Sequence, residues 1–180
     1  MDRQAYRRDG SGKWTLLGAG LPAVPDEEVV GFEALDGFSE TDIYACGWEG
    51  EIWHFDGTAW SQRNSPVSTV LVDLCCAGDG NVYACARNGV LVRGLGERWE
   101  VVDLGGFTDD IWSLAWFDGV LYVATIDYVF TLGSGGLELV KMGKEKVRTC
   151  YDLVVGGGML WSIGAKDVVS FDGKAWSRID

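Results

Sequence analysis

A short apolar run that carries one aromatic residue recurs every 39 residues along the chain. Its four copies read 43-IYACG-47, 82-VYACA-86, 121-LYVAT-125 and 160-LWSIG-164. A second anchor keeps nearly the same spacing, with steps of 39, 38 and 39 residues, at Trp60, Trp99, Leu137 and Trp176. A register held this closely over four copies indicates a propeller, a solenoid or another array of stacked units.

Each repeat contains four short segments with the pattern of β-strands. In the second repeat these segments are 70-VLVDLCCA-77, 81-NVYACAR-87, 90-VLVRG-94 and 98-RWEVVDL-104. They alternate or are wholly apolar, glycine-rich turns separate them, and none keeps the 3.6-residue period of a helix. Four-stranded units of about 40 residues are typical of β-propeller blades, which are covered on both faces by their neighbours. A β-sandwich is the alternative architecture.

The predicted fold is therefore all-β: a small β-propeller of four complete four-stranded blades plus a partial N-terminal blade, in a single domain over residues 1–180. The partial blade is expected at 4–18 and the complete blades at about 29–62, 67–104, 109–142 and 149–180. The sequence leaves open whether the ring closes within one chain or is completed by another. Open blade edges would allow self-association, because unpaired strand edges invite pairing.

The sequence Phe-Asp-Gly occurs twice, at 55-FDG-57 and 171-FDG-173, each time with two residues between the glycine and an anchor tryptophan. Glycine supplies the positive φ that a tight hairpin needs, and an aspartate can accept hydrogen bonds from the turn backbone. The motif predicts the turn between the third and fourth strands of a blade, so its role is architectural.

The stretch 42-DIYACGWEGEIWHFDGTAW-60 resembles the repeats of bacterial WD40/YVTN/BNR-like propellers, and the resemblance extends over about residues 29–180. It implies a β-propeller fold. Small acidic propellers of this type also resemble immunity proteins, which neutralise polymorphic toxins that are often delivered by type VI secretion. The Asp-box of sialidases is a different motif, because one residue separates its Asp and Gly, whereas Gly57 directly follows Asp56.

The sequence predicts no catalytic residues, no metal site and no cofactor. His54 is the only histidine, and no HExxH, P-loop or helix-opening GxGxxG motif occurs. The five cysteines lack a CxxC spacing and the start lacks an apolar signal segment, which favours a cytoplasmic protein with reduced thiols. Two other functions stay open: a small propeller hydrolase or lyase that uses carboxylates at the channel mouth, and a carbohydrate-binding propeller.

Four polar residues occupy similar places in the predicted innermost strands. They are Glu33, Asp73, Ser113 and Asp152. Equivalent inner-strand positions surround the central channel of a propeller, so these residues are expected to form a polar ring at the channel mouth. Such a ring can bind a cation or hold shifted pKa values, or it can accept structural hydrogen bonds.

Charge gives the strongest indication of function. The net charge is −12, and residues 14–62 contain ten carboxylates and no Lys or Arg. This composition argues against nucleic acid and anionic membranes as partners and is suited to a cationic protein partner. The alternative is that the acidity only keeps a Gly- and Trp-rich β-protein soluble. The charge by itself predicts an acidic protein-binding module. The resemblance to immunity proteins adds the expectation of a non-catalytic immunity or inhibitor protein that binds a cationic bacterial toxin through loops on one face. The expected partner-binding residues are Asp26, Glu27, Glu28, Trp48, Glu49, Asp109, Asp110 and Tyr128.

Overall fold

The structure, a computed structural model, describes residues 3–24 and 30–179. Within these ranges it contains eighteen β-strands and one 3-10 turn at Trp48–Gly50. Strands β1 (Tyr6–Arg8) and β2 (Trp14–Leu16) form a two-stranded antiparallel hairpin. No helix in the described part of the chain is long and apolar enough to cross a membrane.

The other sixteen strands form four antiparallel sheets of four consecutive strands, numbered here as blades 1 to 4. Blade 1 contains β3 (Phe32–Ser39), β4 (Asp42–Gly47), β5 (Ile52–Phe55) and β6 (Trp60–Arg63). Blade 2 contains β7 (Asp73–Cys76), β8 (Val82–Ala86), β9 (Val90–Leu95) and β10 (Arg98–Val101). Blade 3 contains β11 (Ser113–Phe117), β12 (Val120–Ala124), β13 (Val129–Gly133) and β14 (Gly136–Leu139). Blade 4 contains β15 (Asp152–Gly156), β16 (Met159–Ile163), β17 (Val168–Phe171) and β18 (Trp176–Arg178). The prediction of an all-β propeller with four complete blades and a partial N-terminal unit is confirmed.

The apolar core lies between the blades rather than inside any one of them. Separate clusters of buried residues join blade 1 to blade 2, blade 2 to blade 3, and blade 3 to blade 4. A fourth cluster joins the hairpin to blade 1. The inner strands contact one another in chain order, β3 with β7, β7 with β11 and β11 with β15, and they line a central channel. All five cysteines are free, and burial raises the pKa of the Cys75 thiol to about 12.

The contact between blades explains the 39-residue register. Trp99 of blade 2 packs on Tyr44 of blade 1 with 6.1 Å between ring centroids, and the Gly96 N–H donates to the Tyr44 hydroxyl at 3.4 Å. Leu137 shares a cluster with Tyr83 in the same way, one blade further on. The two sequence anchors are thus the two sides of one repeated interface.

The Phe-Asp-Gly turns have the predicted architectural role. The Asp56 carboxylate accepts hydrogen bonds from the backbone N–H groups of Thr58 and Ala59, both at 2.9 Å. Gly57 has a φ of 91°, which favours glycine, and a Cβ there would lie 2.8 Å from the Thr41 Cβ. Asp172 accepts the equivalent two hydrogen bonds, at 2.8 and 2.7 Å.

Candidate functional site

The turns between the second and third strands lie beside the loops that join consecutive blades. The Gly89 N–H donates to the Asp109 carbonyl at 2.9 Å, and the Asn88 N–H donates to the Asp110 carboxylate at the same distance. A Cβ on Gly89 would lie 2.0 Å from the Phe107 carbonyl oxygen, so only glycine permits this approach. We call the surface formed by these turns and loops the loop face.

The inner strands are held together by a polar chain that crosses from blade to blade. The Ser113 hydroxyl lies 2.9 Å from the Asp73 carboxylate and 3.2 Å from that of Asp152, and it accepts the Leu153 N–H at 3.1 Å. The Leu114 N–H donates to Asp73 at 2.7 Å. Burial raises the Asp73 pKa, opposed by hydrogen bonds from the Leu114 N–H and the Ser113 hydroxyl. Three of the four predicted ring residues are therefore brought together, as hydrogen-bonding partners of neighbouring blades.

Glu33 precedes by one residue the position of blade 1 that corresponds to Asp73. A β-bulge between Phe32 and Ala34 makes Ala34, rather than Glu33, the partner of Cys46. Asp73 pairs with Cys85 in the matching place of blade 2. Glu33 therefore belongs to the positions that immediately precede the inner-strand polar residues, which in the other three blades are Val72, Trp112 and Tyr151.

These preceding positions form an aromatic and charged cluster that the sequence analysis missed. The Trp112 and Tyr151 rings stack with centroids 5.2 Å apart, and the Arg87 guanidinium lies 4.8 Å from the centre of the Trp112 ring. In blade 1, the Trp48 indole N–H donates to the Glu33 carboxylate at 2.6 Å. Trp48 and Arg87 are 39 residues apart. They therefore occupy equivalent positions in successive repeats, and the repeat spacing could have identified them as neighbours of the same cleft.

The cluster lines an open cleft of about 650 Å³ at the channel mouth. The charged and aromatic residues around it are Glu33, Trp48, Asp73, Arg87, Trp112, Tyr151 and Asp152. Carboxylates and aromatic ring faces are groups that bind cations in proteins. The cleft combines both with a guanidinium, so it offers groups of both charge signs beside aromatic ring faces.

The other expected partner-binding residues are spread around the loop face. Glu49 and Asp109 are exposed, Asp110 is half-buried, and Tyr128 is 52% exposed with its ring edge-on to Phe130 at 6.2 Å. Tyr128 also lines a depression of about 460 Å³. The acidic residues Asp26, Glu27 and Glu28 lie outside the described residues.

His54 is engaged in structural contacts on both sides of its ring. Arg63 can only donate, so it donates to Nδ1 at 2.8 Å, and Nε2 therefore carries the proton that Asp42 accepts at 2.8 Å. The imidazole also stacks on Tyr44 with centroids 4.5 Å apart. These contacts join the second, third and fourth strands of blade 1. Among residues 3–24 and 30–179, no group of three or more His, Cys, Asp or Glu side chains could hold a metal ion.

No protein-family model matches the chain. It is 49% identical over 181 residues to immune protein Tsi7 of Pseudomonas aeruginosa, an alignment that covers all of this chain and 59% of the relative. The chain thus spans about three fifths of that relative's length.

Solved propellers are similar in fold. Virginiamycin B lyase from Staphylococcus aureus superposes with a TM-score of 0.74 at 13% identity, covering 98% of this chain and 62% of the lyase. The computationally designed Ika4 protein gives 0.59 at 15% identity, covering 82% of this chain and 92% of the design. These likenesses show the fold alone. The chain is a β-propeller repeat protein, and it is similar to an immunity protein.

Proposed function

We propose that this chain is a non-catalytic immunity protein that binds and neutralises a bacterial toxin in the cytoplasm. The observation that carries the proposal is the 49% identity to an immune protein along the whole chain. The polar residues at the channel support a non-catalytic role. Asp73 and Ser113 already accept hydrogen bonds from backbone N–H groups of the following blades, so they act as structural groups. A rigid scaffold with an exposed loop face is a common arrangement for recognition.

We further propose that the toxin is a cationic domain delivered by type VI secretion. The net charge of −12 and the basic-free stretch 14–62 supply the negative potential. Exposed Glu49 and Asp109 extend that potential over the loop face. A potential of this sign increases the association rate with a positively charged partner, and the increase falls with ionic strength.

Aromatic side chains on the same face are the expected anchors of the interface. Tyr128 projects beside an apolar depression, and Trp48 borders the channel mouth. Large aromatic residues that become buried in a complex contribute much of the binding energy in protein interfaces. We therefore place the centre of the interface between the cleft at the channel mouth and the loop that carries Tyr128.

The test uses the product of the gene adjacent to that of this chain as the candidate toxin. Co-expression should restore growth of bacteria that produce the toxin, and the purified proteins should form a 1:1 complex. Replacing Glu49 and Asp109 by Lys together should weaken binding by about tenfold or more, mainly through the association rate at low salt. Reversing Asp26, Glu27 and Glu28 to Lys should act in the same direction.

The matched control is Glu138→Lys, which reverses an exposed carboxylate on the outer strand of blade 3 and should leave binding unchanged. Tyr128→Ala should instead increase the dissociation rate, because it removes contact area rather than charge. An affinity that does not depend on salt and does not respond to the charge reversals would contradict the acidic loop face. Failure to protect growth would contradict the immunity function itself.

A further inference from the structure

The loop that joins blade 3 to blade 4 carries the opposite charge to the loop that joins blade 2 to blade 3. Residues 140–151 contain four basic residues and one acidic residue, Glu145. Residues 102–112 contain three aspartates and no basic residue. Both loops belong to the loop face, which therefore has an acidic part and a basic part. We call residues 141–148 the basic loop.

The fold presents the charged side chains of the basic loop to solvent. Met142 and Val147 pack against the apolar cluster between blades 3 and 4. The Glu145 N–H donates to the Met142 carbonyl at 3.2 Å, which turns the chain between these two contacts. The basic residues lie between and beside the packed ones, and all four are exposed: Lys141, Lys144, Lys146 and Arg148. They therefore form one basic patch on the loop face.

A buried carboxylate fixes the end of the basic loop. Asp167 is 4% exposed, and it accepts the backbone N–H groups of Arg148 at 2.8 Å and Thr149 at 3.1 Å. The same carboxylate pairs with the Arg178 guanidinium, so the charge of Arg178 is already balanced. The four basic side chains of the loop differ, because none of them forms an ion pair with a carboxylate of residues 3–24 or 30–179. The loop is held in place while its charges remain available to a partner.

The basic loop borders Tyr128, an expected anchor of the interface. Tyr128, Lys141 and Met142 line the same depression of about 460 Å³. The Val140 N–H donates to the Val129 carbonyl at 2.9 Å, so the chain enters the basic loop directly beside the strand that follows Tyr128. A partner that buries Tyr128 must therefore also approach the basic loop.

A surface that is positively charged throughout does not fit this part of the loop face. Like charges placed opposite each other disfavour a complex, whereas opposite charges favour it and set its orientation. A nucleic acid fits no better, because its charge continues along its whole length and would also meet the aspartates of residues 102–112. An acidic segment of a protein matches both the charge and the limited length of the basic loop.

We propose that the basic loop and the depression beside Tyr128 bind an acidic segment of the protein partner. Carboxylates of that segment pair with the exposed lysines, and an apolar side chain enters the depression. This site rests on the proposed function and refines it: the toxin has a net positive charge, but the part of its surface that meets the basic loop is acidic. A toxin that lacks this segment is disfavoured by like-charge contact, so the basic loop contributes to specificity.

The test measures binding kinetics between the full chain and the product of the adjacent gene, the candidate toxin. A double variant, Lys144→Glu with Lys146→Glu, should weaken binding by about tenfold or more. If acidity alone determined binding, the same reversal would make the chain more negative and would strengthen the complex. The two explanations therefore predict changes in affinity of opposite sign.

Lys174→Glu is the matched control. Lys174 is exposed in the turn between β17 and β18, on the side of the propeller opposite the loop face, where a Cβ on Gly173 would lie 3.4 Å from the Asp118 carboxylate of the β11–β12 turn. Its reversal changes the net charge in the same direction and should not weaken binding. Lys144→Arg with Lys146→Arg keeps the charge and should bind like the wild type. Urea unfolding should show that every variant is folded.

Weaker binding of the double reversal, with both controls unchanged, supports the proposal. A double reversal that binds as tightly as the wild type, or more tightly, overturns it, even where reversal of Glu49 and Asp109 shows that the acidic part lies in the interface. Binding of a short DNA duplex that the double reversal abolishes also overturns it, because the basic loop would then serve nucleic acid. A wild-type chain that does not bind the candidate toxin contradicts the proposed function, and the acidic segment with it.

Discussion

Trp60 and Trp14 begin the outer strands of two neighbouring units, and each follows an Asp-Gly turn. Trp60 is only 3% exposed, because the hairpin covers it and its indole N–H donates to the Leu17 carbonyl at 2.8 Å. Trp14, by contrast, is 64% exposed. The repeat therefore determines the backbone position of each tryptophan, whereas the neighbouring sheet determines how much of its side chain leaves water.

The same contrast separates blade 3 from blade 4. Ala124 is fully buried under blade 4, while its counterpart Ile163 remains 39% exposed. One repeated sequence pattern thus produces positions whose burial differs from blade to blade with the sheet that lies next to them. Matched substitutions at equivalent positions should have different energetic costs for this reason alone.

The largest difference is expected between Trp60→Ala and Trp14→Ala. Removal of the buried Trp60 ring loses its contacts with Phe32 and Phe55 and leaves a cavity, which should cost about 3–5 kcal/mol of unfolding free energy. Trp14→Ala should change that free energy by no more than about 0.5 kcal/mol. Urea unfolding at low protein concentration measures both values. Equal costs for the two variants would contradict the difference in burial.

The sequence predicted the fold well, because the anchors are interface residues. Tyr44 and Trp99 contact one another across two blades, so selection of that contact in each blade produces a visible period. Glu33 shows the limit of the method. A β-bulge changes the strand register by one residue without changing the average spacing of the anchors. Glu33 therefore lines the cleft with Asp73 and Asp152 but lies outside the hydrogen bonds that join Asp73, Ser113 and Asp152.

The aromatic cluster at the channel mouth was missed for another reason. Trp112 and Tyr151 occupy the same position in two repeats, but the other two repeats have Glu33 and Val72 there. This position holds an acidic residue in the first repeat, an aliphatic residue in the second and an aromatic residue in the other two. It therefore shows no repeated residue type in the sequence. Its shared location becomes visible only when the strands are paired, because pairing fixes which residues surround the channel.

A second difference is expected between Asp73→Asn and Asp152→Asn. The Asp73 carboxylate accepts the N–H groups of Leu74 and Leu114 as well as the Ser113 hydroxyl. An asparagine would place its amide NH2 group opposite one of these N–H or O–H donors, which then loses its acceptor. The substitution should therefore reduce the free energy of unfolding by about 1–3 kcal/mol. Asp152 is exposed, and its substitution should cost no more than about 0.5 kcal/mol.

Thermal and urea unfolding of the two aspartate variants measure this comparison. Asp73→Ser is a useful additional variant, because Ser113 shows that a hydroxyl can accept the same type of backbone N–H. It should recover part of the stability that Asp73→Asn loses. A larger loss in Asp152→Asn than in Asp73→Asn would contradict the hydrogen-bonding chain from blade to blade.

The smallest effect is expected at the two Phe-Asp-Gly turns, one in covered blade 1 and one in blade 4. Hydrogen bonds from the Thr58 hydroxyl and the Ala59 and Thr58 N–H groups lower the Asp56 pKa to about 2, and those from the Ala175 and Lys174 N–H groups lower the Asp172 pKa. Because these pKa values are depressed, the stabilisation is present above the ordinary aspartate pKa near 3.8 and is lost as pH falls toward 2.

Asp56→Asn and Asp172→Asn should therefore each be slightly less stable than the wild type at neutral pH, and this deficit should shrink as the solution is acidified from about pH 5 to about pH 2. Urea unfolding at each pH measures the deficit. Both variants should show the deficit. It should be larger in Asp56→Asn, because the Thr58 hydroxyl donates to Asp56 at 2.6 Å whereas Asp172 accepts only backbone N–H groups. A larger pH-dependent deficit in Asp172→Asn would show that the sheet next to each blade, which separates Trp60 from Trp14, also acts on the turns.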